Sequence, residues 1–168
     1  MRLIETAYVR LLQGLAAVAG VIMGATAVMI VFDVTVRNLG FQPPPHTLTF
    51  TEYGLLYVTM LGAPWLVRTK GHVYIELVTA AVGPRVRAVM SRLVALLCLV
   101  VCATLCYYAA GSTWIDFQRG DMDIRSYDMP RWILMACMPL GFGLMSVEFA
   151  RYLLGFDSLH TGEAGIHE

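Results

Sequence analysis

Charge is scarce in this sequence. Acidic and basic residues make up 14% of its 168 residues, against about 25% in soluble domains. The few charges also avoid four long stretches almost completely, as in a chain that crosses a membrane several times. Lysine and arginine number 12, as do aspartate and glutamate, so the formal net charge is zero. That balance points to neither a nucleic acid nor an acidic partner. No Gly-x-x-x-x-Gly-Lys-Ser/Thr stretch is present, which removes the usual backbone cradle for ATP. Histidine is confined to His46, His72, His160 and His167, none at mid-membrane depth, so a haem held by axial histidines within the spans loses most of its support. No serine, histidine and acid grouping suggests hydrolysis. The chain has no paired Cys-x-x-Cys unit. Cys98, Cys102 and Cys106 repeat at four-residue spacing on one face of an apolar segment, where a disulfide between neighbouring turns is sterically excluded. With Cys137, they read as polarizable packing residues. No cofactor and no enzyme activity are expected.

What is present is hydrophobic, 58% of the residues. The expected architecture is an all-α membrane protein with four transmembrane helices, at about 11–32, 48–67, 89–111 and 132–154. Residues 1–10 form a short cytoplasmic segment, 11–154 the transmembrane domain, and 155–168 a cytoplasmic tail. The first span, about 22 residues, makes a helix of about 33 Å, enough for a hydrocarbon core of about 30 Å. Its apolar run exceeds the 7–15 residues typical of a signal-peptide core, which favours a retained helix even though Ala25-Thr26-Ala27 resembles a cleavage site. Ala16, Gly20 and Gly24 form a small-residue ladder that admits a close helix neighbour. Asp33 and Arg37 stand at i, i+4, the spacing of an ion pair across one turn. Gly40 and Pro43-Pro44-Pro45 then end the helix, and Thr47 or Thr49 is placed to cap the next, with Glu52 three residues after Thr49. Glu52 has two readings, capping or pairing near the span end, or ion or proton transfer within it.

The chain is organised around residues 61–76. Pro64 lies inside the apolar run, Trp65 suits the membrane–water boundary, and Arg68, Lys70 and His72 then arrive within five residues. Beyond them Ile75, Val78, Val82 and Val86 share a helical face in a segment too short and polar to span, so an amphipathic arm along the interface is expected. His72 and Glu76, at i, i+4, are too few for a metal site and suit hydrogen bonding or headgroup contact. Residues 114–131 read as a polar loop rich in aspartate, and Pro130 as part of a first helical turn. If the N-terminus is cytoplasmic, Arg2, Arg10, Arg68, Lys70, Arg85, Arg87, Arg92 and Arg151 fall inside, and Arg37, Arg119, Arg125 and Arg131 outside. The positive-inside rule therefore places both termini in the cytoplasm.

Glu52 early in the second span, then Leu61-Gly62-Ala63, Arg68 and Gly71-His72-Val73-x-x-Glu76, resembles the small membrane subunit of tripartite ATP-independent periplasmic (TRAP) transporters. The first span ending in Asp33 and Arg37 and the Pro139-Leu140-Gly141 element of the last helix add to the likeness, which covers residues 10 to 154. Two positions depart from the pattern: Glu52-Tyr53 stands where an acidic pair is frequent, and Glu76 where aspartate is common. The resemblance implies a subunit of the inner membrane, multi-pass, surrounded by lipid and bound to a large multi-span permease subunit. In such systems a periplasmic receptor delivers an organic anion, typically a carboxylate, which the large subunit carries inward by secondary transport. The small subunit scaffolds its partner and aids receptor docking. On that reading Asp33, Arg37, Glu52, Arg68, His72 and Glu76 are structural or interface residues, and Ala16, Gly20, Gly24 and Gly62 pack helices. The competing reading is a self-contained, proton-coupled exporter that uses Glu52.

Overall fold

The structure is a computed structural model that describes residues 2–42, 44, 46–69, 84–123 and 129–154. Four long helices dominate these residues: α1 (Arg2–Asn38), α2 (His46–Arg68), α3 (Pro84–Arg119) and α4 (Arg131–Leu153). A two-residue antiparallel pairing of β1 (Met122–Asp123) with β2 (Met129–Pro130) joins α3 to α4. The expected arm, with Lys70, His72 and Glu76, lies outside the described residues, as does the tail 155–168.

Among the described residues, three helical stretches, Glu5–Asn38, Val89–Arg119 and Arg131–Leu153, are long and apolar enough to cross a membrane. α2 is long enough, at 23 residues, but less apolar. Thr47, Thr49, Thr51 and Thr59 and the acid Glu52 lie along it. The Thr51 and Thr59 hydroxyls each donate to the carbonyl four residues back, at 2.8 Å, which satisfies them inside the helix.

The helices overrun the apolar segments. α1 begins at Arg2 and ends at Asn38, beyond the 11–32 span, and α3 covers 84–119 rather than 89–111. Charge ends an apolar run without ending a helix. Glu5 in the first turn of α1 suits the positive end of the helix dipole, and the Asp33–Arg37 pair supports the last turns. The stops are made by glycine. Gly40 (φ +80°) carries the left-handed turn after α1, with Gly40 N–H donating to Arg37 O and Phe41 N–H to Val36 O. Gly120 (φ +64°) does the same for α3, where Gly120 and Asp121 N–H groups both donate to Asp116 O. Residues 114–119, expected as loop, are therefore the last turns of α3. Thr47 does not cap α2 as expected. The helix starts at His46, and the Thr47 hydroxyl donates back to Pro44 O at 2.9 Å. Pro130 is the residue before α4, not part of its first turn.

The helices are arranged in the order α1–α2–α4–α3, with α1 packed on α2, α2 on α4 and α4 on α3. α1 and α3 are thus the two edges. On α1 the covered face runs through Leu12, Leu15, Ala19, Ile22, Thr26 and Met29, alternating steps of three and four residues as a helix seam requires. Two glycines set the close approaches. A Cβ at Gly54 would lie 2.6 Å from Thr26 Oγ1, at the α1–α2 seam. One at Gly141 would lie 2.6 Å from the backbone oxygen of Met60, at the α2–α4 seam. That oxygen is the acceptor left without its helical donor by Pro64, which has no N–H. The proline thus exposes a carbonyl where α4 has only a glycine to meet it.

Candidate functional site

The up-and-down chain course gathers the N-terminus of α1 and the C-termini of α2 and α4 at one end. An apolar cluster of Val67, Ala95 and Tyr152, flanked by Met145 and Phe149, fills this end. Above it sits the densest charge cluster of the described residues. Glu148, in the penultimate turn of α4, has a side chain only 3% exposed. Arg68 Nη1 donates to its Oε1 at 3.0 Å, and Arg151 Nη1 approaches the same oxygen at 3.5 Å. Arg151 Nη2 also donates to Glu5 Oε1 at 3.2 Å, which reaches α1. The Arg68 guanidinium lies 5.9 Å from the centre of the Tyr8 ring, at the outer range of a cation–π contact. The Tyr152 hydroxyl sits 2.8 Å from Val67 O and 3.2 Å from Arg68 O, placing a side-chain donor on carbonyls of the last turn of α2. Both arginines lie in last turns, where positive charge complements the helix dipole.

The opposite end is built from different bonds. Tyr53 on α2 donates its hydroxyl to Asp123 of the β pairing, and Tyr57 donates to Ile133 O at 2.8 Å. Asp116 is buried at the end of α3, with Arg131 Nε 3.6 Å from its Oδ2. Arg131 N–H donates to Asp121 O, so the base of the connection is tied to the start of α4. Trp114 stacks on Phe117, whose ring meets Trp132 edge to face at 5.5 Å. Among the described residues no three His, Cys, Asp or Glu side chains gather as a metal site.

The residues singled out from the sequence fall in separate places. Asp33 and Arg37 pair with each other at 2.8 Å on the exposed end of α1. Glu52 is exposed on α2, at the far end from Arg68. Arg68 belongs to the buried cluster, while His72 and Glu76 lie outside the described residues. Gly62 faces Ala19 of α1, whose Cβ would be 3.8 Å from an added Cβ. The ladder differs. Gly20 and Gly24 are exposed with nothing within 4 Å of an added Cβ, so among the described residues they join no helices. Glu148, Arg151, Tyr152, Glu5 and Tyr8 were not singled out. One signal pointed to them: Glu148 is the only carboxylate in the apolar segment 132–154, with Arg151 at i+3.

Comparison with known proteins adds the family. Residues 26–156 match the family described as Tripartite ATP-independent periplasmic transporters, DctQ component. No curated protein matches the chain.

Proposed function

Since the chain belongs to the DctQ component family of tripartite ATP-independent periplasmic transporters, we propose that it is the scaffold on which the large membrane subunit is held. Four helices cross the bilayer in this reading, α2 included, with both termini in the cytoplasm and the Glu148 end facing it. The edge helices α1 and α3, with 37 and 36 residues, make rods of about 55 Å, longer than the hydrocarbon core, and so tilt or project. The large subunit packs against α1. The observation that carries this is the small-residue surface of that helix: Gly20 and Gly24 are exposed beside half-buried Ala16, with none of the described helices upon them. In lipid, helices associate where small residues let backbones approach. The α3 edge presents Leu97, Val100, Val101, Leu105, Tyr107 and Tyr108 instead, a bulky surface suited to acyl chains.

The Asp116 end faces the periplasmic receptor, and the transported solute is an organic anion, most simply a carboxylate, bound by the receptor and the large subunit. Glu52 and the Asp33–Arg37 pair belong to this outer face. His72 and Glu76 hold the segment after α2 against the partner or the headgroups. The test is Gly20→Leu with Gly24→Leu. The isolated subunit should keep its stability, because neither side chain meets its own helices, while recovery of the complex should fall severalfold. Unchanged recovery would remove α1 as the contact.

A further inference from the structure

A carboxylate at 3% exposure between helix ends is costly unless its charge is paired, and Glu148 is met by Arg68 of α2 and by Arg151 of its own helix. Arg68 brings the end of α2. Arg151, which shares the Glu148 oxygen, carries the link on to Glu5 of α1. Tyr8 adds a second attachment of α1 through the Arg68 guanidinium. This matters because α1 otherwise packs on α2 and scarcely on α4. The seam that holds α1 passes through Leu12, Ala19 and Thr26, and ahead of it Glu5 and Tyr8 add these polar contacts to the anchorage of the helix start.

We propose that Glu148 is a positioning residue, a buried anchor that fixes the first turns of α1 and the last turn of α2 to α4. It acts with Tyr152, which holds the Val67 and Arg68 carbonyls from the same helix one turn on. Together they hold the last turn of α2 on α4. The anchor is a property of the subunit alone. Its consequence, that α1 is presented as a fixed edge to the large subunit, rests on the scaffold reading above.

The experiment is hydrogen–deuterium exchange of the full chain in lipid nanodiscs. Glu148→Gln leaves two guanidiniums facing a neutral amide. Exchange over residues 5–12 should rise about tenfold, while residues 26–38, held by the Thr26–Gly54 contact, stay as in the wild type. Glu5→Gln removes only the exposed link and should raise exchange over 5–12 about two- to threefold. If Glu148→Gln does not fold, Glu5→Gln and Tyr152→Phe decide, the latter raising exchange at the end of α2. Equal acceleration in both halves of α1 would mean general destabilisation and would overturn the proposal, as would unchanged protection over 5–12. Loosened α1 turns with undiminished complex recovery would support the anchor and count against the scaffold reading of α1.

Discussion

Substituting Gly141 by alanine tests the packing of α2 on α4 at its tightest point. The added Cβ would lie 2.6 Å from Met60 O, 3.1 Å from Met60 Cβ and 3.2 Å from Met60 C. Ordinary contact begins near 3.4 Å, so the overlap with the oxygen is about 0.8 Å, and the obstacle is largely backbone, which has no rotamer to change. The helices must part locally, and overpacking of this kind costs about 1–3 kcal/mol. A radial gap approaching 1 Å also forfeits a quarter to a half of the dispersion between facing atoms. Alanine gains up to about 1 kcal/mol over glycine in helix propensity, which masks part of the loss. Gly143→Ala removes that ambiguity. It lies two residues on in the same helix, and its Cβ would sit 3.6 Å from Cys106 Sγ, an ordinary contact. The propensity gain is common to both variants, so their difference isolates the overlap. Thermal unfolding followed by tryptophan fluorescence in one detergent should place Gly141→Ala below Gly143→Ala by about 2–12 °C, taking about 2–4 °C per kcal/mol. Equal midpoints would refute the seam as described.

Tyr152→Phe keeps the ring in its apolar cluster and deletes the hydroxyl that serves Val67 and Arg68 carbonyls; a loss of about 1–2 kcal/mol is expected, read as a lowered unfolding midpoint. Asp33→Asn, by contrast, breaks a pair whose arginine is 62% exposed, so its effect on the midpoint should stay below about 1 kcal/mol. Asp116 is nine-tenths buried with Arg131 beside it, and Asp116→Ala should destabilise the α3–α4 connection more than Asp33→Asn does, seen as faster exchange at residues 120–123.

Much of the architecture was legible in residue order. The apolar segments locate the helices, and the Asp33–Arg37 spacing identifies an ion pair that is present. Hydropathy, however, reports where a chain is apolar, while helix ends answer to backbone geometry. Gly40, beside three prolines, marks a stop in the sequence, whereas Gly120 lies in a stretch whose charges, Asp116 and Arg119, suggest loop. The small-residue ladder illustrates another limit. Spacing shows that Ala16, Gly20 and Gly24 share a face, but whether a neighbour occupies it depends on tertiary placement; the chain uses Gly54 and Gly141 for its own close approaches. Arg68 stood out among the central cations, yet its partner Glu148 lies 80 residues away, and no local pattern links the two. Glu52 drew attention as a carboxylate in an apolar segment, the same criterion that applies with greater force to Glu148.

The most direct test of the scaffold role is purification of the tagged chain from its native membranes in a gentle detergent, with mass identification of what accompanies it. The account predicts a large multi-span membrane protein in one-to-one ratio. A lone chain or a self-dimer that transports unaided after reconstitution would contradict it and return attention to Glu52 as the coupling residue of a small exporter.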